Sequence, residues 1–200
     1  MLSEIERDRV EIAVRDAERG TAGEIVVVVA RQAASYKSLP LLYGLVGMAG
    51  VPPLLVWLTA LPALRIFTLQ LAVAAVLIGL GYGLGPHLVP GPVKRARARA
   101  AAAREFVARG MADTRGRTGI LLYVAVRERY AEVIGDVTIS GRIDEAEWRA
   151  VIEALVGAMR EGRTADALVG AIERIGAILA RHVPPESDPR DELPNRIVIV

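Results

Sequence analysis

Residues 24–30 read EIVVVVA, and this run of β-branched side chains decides the fold. It predicts a strand buried on both faces, because a strand with one face in water would alternate apolar and polar residues. The residues before it predict one helix, since Ser3 and Glu6 form a capping box and Val10 and Val14 follow at helical spacing. One helix cannot cover both faces of a strand, so the missing partners must lie further along the chain.

The next stretch, residues 38–93, contains a single charged side chain, Arg65, in a chain that is 24% charged overall. A helix that crosses a bilayer needs roughly 20 apolar residues. The stretch has room for two such helices, and we predict a transmembrane helical hairpin with spans near 41–61 and 66–87. The alternative is a buried pair of core helices, but a 200-residue chain is too short to wrap both in protein.

Prolines and glycines are expected to shape the two spans. Pro52 and Pro53 remove backbone donors in the middle of the first span and predict a kink there. Two overlapping small-x-x-x-small patterns occur in the second span, formed by Gly79 with Gly83 and by Gly81 with Gly85. They predict close packing on the first span or on another copy of the chain, and a looser helix end is the alternative.

Basic residues near the span ends predict the orientation of the hairpin. Lys37 precedes the first span and four basic residues follow the second, whereas the turn holds only Arg65. Those four residues are Lys94, Arg95, Arg97 and Arg99. Both termini are therefore predicted on the cytoplasmic side, where the basic run could contact anionic lipid headgroups. This position explains the run without a nucleic-acid partner, and the lack of cysteine excludes disulfides and thiolate metal sites.

The hairpin returns the chain to the same side of the membrane, which allows residues 1–37 and 94–200 to form one discontinuous domain around the hairpin of residues 38–93. Beyond the hairpin the patterns predict a helix over 93–111, strands over 120–126 and 130–139, and helices that begin near Asp144 and Thr164. The apolar end, residues 197–200, is an edge strand, a strand offered to a partner, or a frayed terminus. This order predicts an α/β/α sandwich with a sheet of three or four strands.

Candidate chemistry is limited to carboxylates, because the chain has no phosphate-binding glycine loop and no nucleophile elbow. Asp136 ends a predicted strand and faces the loop of Asp144, so this pair is the best candidate for Ca²⁺ or Mg²⁺. Glu132 shares a strand face with Asp136 but lies about 13 Å away at ~3.3 Å per residue, so it joins the site only if the strand bulges. Helix capping by Asp144 and simple solvation of Glu132 are the alternatives.

Two segments resemble the TPM domain, the family of thylakoid-lumen and photosystem-repair proteins and their bacterial relatives. Residues 21–29 (TAGEIVVVV) resemble its opening strand, and residues 117–136 (RTGILLYVAVRERYAEVIGD) resemble its central hairpin. The resemblance implies an α/β/α sandwich that often binds calcium or another divalent ion. It also implies either an acid phosphatase or an accessory subunit of a membrane complex without enzyme activity. Arg129 and Asp136 are the residues that match the family's turn and strand end.

We therefore expect a multi-pass protein of the bacterial inner membrane with both termini in the cytoplasm. Its domain is expected to be a non-enzymatic accessory module that binds a membrane partner or a second copy of itself, helped by a divalent cation. The alternative is a metal-dependent phosphatase, with an ion held by Asp136 and Asp144 and a phosphate oriented by Arg129. A transport role ranks last, because the spans lack the buried charges that mark ion paths.

Overall fold

The computed structural model describes residues 2–35, 38–114, 116–185 and 197–200. Two compact units make up the chain, one of Met1–Ala33 with Arg95–Val200 and the other of Ala34–Lys94. The helices are α1 Glu4–Glu18, α2 Leu39–Leu58, α3 Ala63–Leu88, α4 Gly91–Ala108, α5 Val137–Ser140, α6 Glu145–Arg160 and α7 Thr164–His182. The strands are β1 Glu24–Ala30, β2 Gly119–Ala125, β3 Tyr130–Gly135 and β4 Ile197–Ile199. A short 3-10 helix, Met111–Asp113, follows α4.

The sheet has the order β3-β2-β1-β4, with β1 parallel to both β2 and β4 and with β2 antiparallel to β3. Val27 of β1 lies opposite Leu122 of β2 and opposite Ile197 of β4. The EIVVVVA run is thus a central strand, which is why it needs no polar face. The predicted α/β class with a sheet of three or four strands is confirmed, and the apolar end of the chain is its edge strand.

Helices cover both faces of the sheet, as predicted. One face carries the larger core, in which α1, α6 and α7 pack against alternate residues of β1 and β2. Its fully buried helical side chains include Val10, Leu168 and Ile172. The other face packs against Ala98 and Ala102 of α4, whose small side chains let the helix lie close to the sheet. The result is an α/β/α sandwich.

The third strand is shorter than the predicted range 130–139. It ends at Gly135, and residues Val137–Ser140 form a single helical turn instead. Asp136 caps this turn, and Ile139 then points into the larger core with no exposed surface. Gly135 permits the turn, because a Cβ there would lie 2.7 Å from Ile139 Cγ2. A local cap and the burial of Ile139 therefore override the alternating strand pattern.

The second unit is a pair of apolar helices, α2 and α3, joined by residues 59–62. Its close packing uses glycines of α2: a Cβ on Gly44 or Gly47 would come within 2.5 Å of Ile78 or Leu77. Of the glycines of α3 that were predicted to pack closely, only some contact α2. Gly81 packs against Pro40, whereas Gly79 and Gly83 face open space.

Helix α2 continues through Pro52 and Pro53, which lack the backbone N–H of the other residues. The missing donor of Pro52 leaves the carbonyl of Met48 without its helical partner. Gln70 of α3 fills this place, since its Nε2 donates to the Met48 carbonyl oxygen at 3.0 Å. A polar side chain of α3 thus donates to the backbone carbonyl that Pro52 leaves without a partner in α2. An unpaired backbone group is costly in an apolar environment.

Candidate functional site

Asp136 follows directly after β3, at the end of the sheet where β3 ends and β2 begins. Its backbone N–H donates to the Gly119 carbonyl at 3.0 Å, and its Oδ1 accepts from the N–H of Val137 at 2.6 Å. The residue is 6% exposed, and its Oδ2 has no hydrogen-bond partner among the residues that the structure describes. One carboxylate oxygen at this buried position is therefore free to accept a further bond.

The threonine side chains before β1 and β2 form hydrogen bonds with backbone groups or with each other's backbone N–H. Thr118 Oγ1 donates to the Ala22 carbonyl at 2.7 Å, and the Thr118 N–H donates to Thr114 Oγ1 at 3.2 Å. Thr21 Oγ1 donates to the Val183 carbonyl at 2.6 Å. All three threonines are buried and bonded to backbone groups. They stabilise the chain entry into β1 and β2 rather than offering hydroxyls to a ligand.

Glu132 belongs to a different group of side chains. Its Oε2 accepts from Tyr130 Oη at 2.8 Å, and its Oε1 lies 3.6 Å from Nε of Arg99 in α4. Burial raises the pKa of Tyr130, and the hydrogen bond to Glu132 raises it further, because the carboxylate would repel a phenolate. Both carboxylate oxygens of Glu132 therefore already have a partner, Tyr130 for one and Arg99 for the other.

Asp144 is the exposed N-cap of α6 and accepts from the N–H of Ala146 at 2.9 Å. Within residues 2–35, 38–114, 116–185 and 197–200, no three His, Asp or Glu side chains come together as a metal group. Calcium requires six to eight oxygen ligands, and the free oxygen of Asp136 supplies one. Within the described residues these three carboxylates do not form one group, and the cation site on Asp136, Asp144 and Glu132 stays a prediction.

Arg129 lies at the opposite end of β3 from Asp136. It occupies the left-handed region of backbone conformation, with φ 51°, in the tight turn between β2 and β3. The six residues of β3 separate it from Asp136, and seven steps of ~3.3 Å place the two Cα atoms about 23 Å apart. An ion at Asp136 and a phosphate at Arg129 would therefore occupy two separate sites.

Arg129 instead lines a cavity of about 320 Å³ in the first unit. We name it the Arg129–Arg160 cavity. Its lining consists of two arginines, Arg129 and Arg160, two hydroxyl-bearing residues, Tyr130 and Thr164, and three apolar residues, Val126, Val156 and Met159. Nothing in the sequence distinguishes Arg160 from the other arginines, because its approach to Arg129 depends on how α6 crosses the end of the sheet.

Comparison with known proteins supports both the fold and the resemblance. Residues 91–178 match the family model of the TPM domain. The fold is similar to the NMR structure of the BA42 protein from the psychrophilic bacterium Bizionia argentinensis, with a TM-score of 0.62 and 22% identity over 100% of this chain and 96% of that chain. No curated protein matches the sequence.

Proposed function

The chain carries a TPM domain, and from this premise we propose that the domain is a non-enzymatic accessory module held at a bacterial inner membrane by the α2–α3 hairpin. Both termini lie in the cytoplasm. The domain binds a membrane-protein partner or a second copy of the chain, and the hairpin keeps it at the place where that partner resides.

The observation that carries the proposal is the apolar surface of the hairpin. Its two most apolar segments, Pro40–Leu58 and Ala63–Gly83, are only 11% and 6% buried, whereas a core helix of a soluble protein would be mostly buried. Trp57 is 83% exposed and Leu64 is 74% exposed. Exposed apolar area costs roughly 25 cal/mol per Å² in water, so a surface of this kind calls for a lipid environment. Helices of this length reach about 30 Å, the thickness of the hydrocarbon core.

Charge placement supports the orientation. The connection between the two helices holds no charged residue, and Arg65 lies in the first turn of α3. The first residues of α4 include Lys94, Arg95 and Arg97, which follow α3 directly. Basic residues near span ends favour the cytoplasmic side. This distribution favours the proposed orientation, with the domain in the cytoplasm and the short connection outside.

An accessory role is favoured over the phosphatase alternative by the placement of the candidate residues. Asp136 and Asp144 cap helices, and Glu132 holds Tyr130. A phosphatase that combined Asp136 with Arg129 would need groups about 23 Å apart, at ~3.3 Å per residue, to act on one phosphate.

The orientation is tested with single cysteines, because the chain has none of its own. We would introduce Ala60→Cys in the helix connection and Glu173→Cys on the exposed side of α7, each in the full chain in bacterial cells. A maleimide that cannot cross membranes should label Ala60→Cys in intact cells and Glu173→Cys only after lysis. Labelling of Glu173→Cys but not Ala60→Cys in intact cells would invert the orientation, and labelling of neither position before lysis would contradict a hairpin whose connection lies outside the membrane.

The non-enzymatic role is tested with Asp136→Asn, which keeps a capping oxygen but removes the charge. The purified full chain should release no phosphate from para-nitrophenyl phosphate with Ca²⁺ or Mg²⁺, and a crosslinker should capture a defined membrane complex. Turnover that disappears in Asp136→Asn, with unchanged melting, would establish the phosphatase alternative instead.

A further inference from the structure

Strand β3 forms an open edge of the sheet. Among the described strands it has a single neighbour, β2, to which it runs antiparallel. The Asp136 N–H donates to the Gly119 carbonyl, so the even-numbered residues of β3 direct their backbone groups towards β2. The odd-numbered residues, Ala131, Val133 and Gly135, direct theirs away from the sheet. Each of the three carries one backbone donor and one backbone acceptor along this edge.

The opposite edge, β4, is shorter and partly occupied. It has three residues, whereas β3 has six, and the Ile197 N–H already donates to Glu11 Oε1 at 3.3 Å. On β3, Ser140 Oγ donates to the Gly135 carbonyl at 2.8 Å. A carbonyl oxygen has two lone pairs, so Gly135 can still accept a second bond. The β3 edge is therefore the better template for an additional strand.

Charged side chains often protect edge strands from pairing. Strand β3 has one charged residue, Glu132, and both of its carboxylate oxygens have partners within the same copy, Tyr130 and Arg99. The charge of Glu132 therefore does not keep another strand away, provided that no second carboxylate lies directly opposite. This condition restricts the registers in which a strand of the same sequence can pair with β3.

We propose that β3 pairs antiparallel with β3 of a second copy of the chain, with Val133 opposite Val133 at the two-fold axis. This register places Ala131 opposite Gly135 and Glu132 opposite Ile134, so all of the outward backbone groups find partners. A register centred on Glu132 would place two carboxylates opposite each other. The interface is isologous, and one sheet continues through both copies.

The two ends of β3 carry opposite charges, which favours a second copy as the partner. Arg129 precedes the strand and Asp136 follows it. In the proposed register Arg129 lies opposite Val137 of the second copy, next to Asp136. That carboxylate is 6% exposed, and its Oδ2 has no hydrogen-bond partner within residues 2–35, 38–114, 116–185 and 197–200. The guanidinium of the second copy would supply a charged donor at each end of the interface.

The interface deepens the proposed function, because it names the partner as a second copy of the chain. It rests on that proposal for the membrane anchor. Two copies held in one membrane by their hairpins meet at a raised effective concentration, which favours pairing through a single short strand. The pairing residues all belong to the unit that contains the sheet.

The first test uses Val133→Cys in the full chain, which has no cysteine of its own. Hydrogen-bonded residues opposite each other in antiparallel strands have Cα atoms ~5.5 Å apart, which a disulfide can bridge. Oxidation of native membranes with copper phenanthroline should link Val133→Cys into a dimer of twice the chain mass. Ile199→Cys is the matched control, because Ile199 is half-buried on the same face of the sheet but in the opposite edge strand. It should give roughly tenfold less dimer.

The second test removes the backbone donor at the two-fold axis. The Val133 N–H points away from β2, so Val133→Pro removes no hydrogen bond of the sheet within one copy. It should convert the dimer into a monomer, measured by light scattering of the full chain in neutral detergent, with a melting temperature close to that of the parent. Ile199→Pro makes the same change at the other edge and should leave the dimer intact. If Val133→Pro does not fold, the crosslinking of Val133→Cys decides alone.

The third test addresses the charges at the ends of the interface. Arg129→Glu places a carboxylate beside Asp136 of the second copy and should weaken dimerisation roughly tenfold. Arg174→Glu is the control, because Arg174 is an exposed arginine of α7. It makes the same change of charge away from β3 and should leave the dimer unchanged. Equal weakening by both substitutions would remove the pairing of Arg129 with Asp136.

The proposal is overturned if Val133→Cys gives no more dimer than Ile199→Cys, or if it crosslinks only to a protein of a different mass. The labelling of Ala60→Cys and Glu173→Cys tests the membrane anchor separately. A crosslinked dimer with labelling that contradicts the hairpin would support the interface without the anchor. Labelling as expected, with Val133→Cys remaining a monomer, would refute the interface and leave the anchor supported.

Discussion

The two units of this chain differ in the exposure of their apolar side chains. In the unit that contains the sheet, Leu122 is fully buried between β1 and β3. In the helical unit, Leu45 is 64% exposed and Val76 is 59% exposed. The first arrangement is stabilised by water and the second would be penalised by it. The difference teaches that exposure, rather than apolar composition alone, distinguishes a protein core from helices that are apolar enough to span a membrane.

Matched leucine truncations in the two units should give the largest difference. Leu122→Ala leaves a cavity in the sheet and should lower the free energy of unfolding by about 2–5 kcal/mol. Leu45→Ala removes an exposed side chain and should leave the unfolding of the sheet unit unchanged. Urea unfolding in detergent, followed by Trp148 fluorescence in a Trp57→Phe background, measures both. Equal losses would mean that the two units unfold together.

Matched arginine substitutions test the lipid environment directly. Val76→Arg places a charge in the middle of α3 and should cost about 2.5–3.5 kcal/mol of membrane insertion. Val107 of α4 is 72% exposed in the other unit, so Val107→Arg should stay within about 0.5 kcal/mol of the parent. Membrane fractionation compares the two proteins. If Val76→Arg remains fully membrane-bound, the exposed face of α3 does not face lipid.

The bond between Gln70 and the Met48 carbonyl should stabilise the hairpin. Gln70→Leu leaves that carbonyl without a donor and should destabilise the α2–α3 pair by about 1–2 kcal/mol. Pro52→Ala restores the helical N–H to Met48, so the same substitution should cost less in that background. Thermal melting in detergent of the four proteins of this cycle measures the coupling. A coupling near zero would show that Gln70 does not replace the donor missing at Pro52.

The cap at Asp136 should give the smallest effect, because it holds one helical turn. Asp136→Ala removes the acceptor of the Val137 N–H and should lower the free energy of unfolding by about 1 kcal/mol. Asp136→Asn keeps an acceptor without a buried charge and should stay within about 0.5 kcal/mol of the parent. Urea unfolding of the two variants tests this order. If both variants lose the same free energy of unfolding, Asp136 stabilises the turn through its charge rather than through its capping oxygen.

Periodicity and composition predicted the elements whose environment is uniform along their length. The EIVVVVA run and residues 120–126 are strands because both of their faces are covered, and the charge-poor stretch forms two long apolar helices. The spans predicted near 41–61 and 66–87 begin two to three residues earlier in the structure, at Leu39 and Ala63. Helix ends depend on local capping, which hydropathy does not register.

The details of the candidate site depended on contacts between distant residues, and the sequence could not supply them. The alternation through residues 130–139 predicted a longer strand, yet Asp136 and Ile139 form a capped turn because Ile139 finds a place in the core. Arg129 and Arg160 line the same cavity although they belong to separate elements, the β2–β3 turn and α6. Gln70 appeared as one polar residue in an apolar span, and its purpose became visible only beside Pro52 and Met48.

The central position of β1 has a consequence for how the protein is made. β1 ends at Ala30 and its first neighbour, β2, is complete only at Ala125, because the hairpin and α4 lie between them in the chain. At ~5–20 residues per second this interval lasts on the order of 5–20 s. During that time the apolar residues 25–30 of β1, which have high β-propensity, have no neighbouring strand to pair with. Newly made chains therefore pass through an aggregation-prone period, during which chaperones or rapid insertion of the hairpin would protect them.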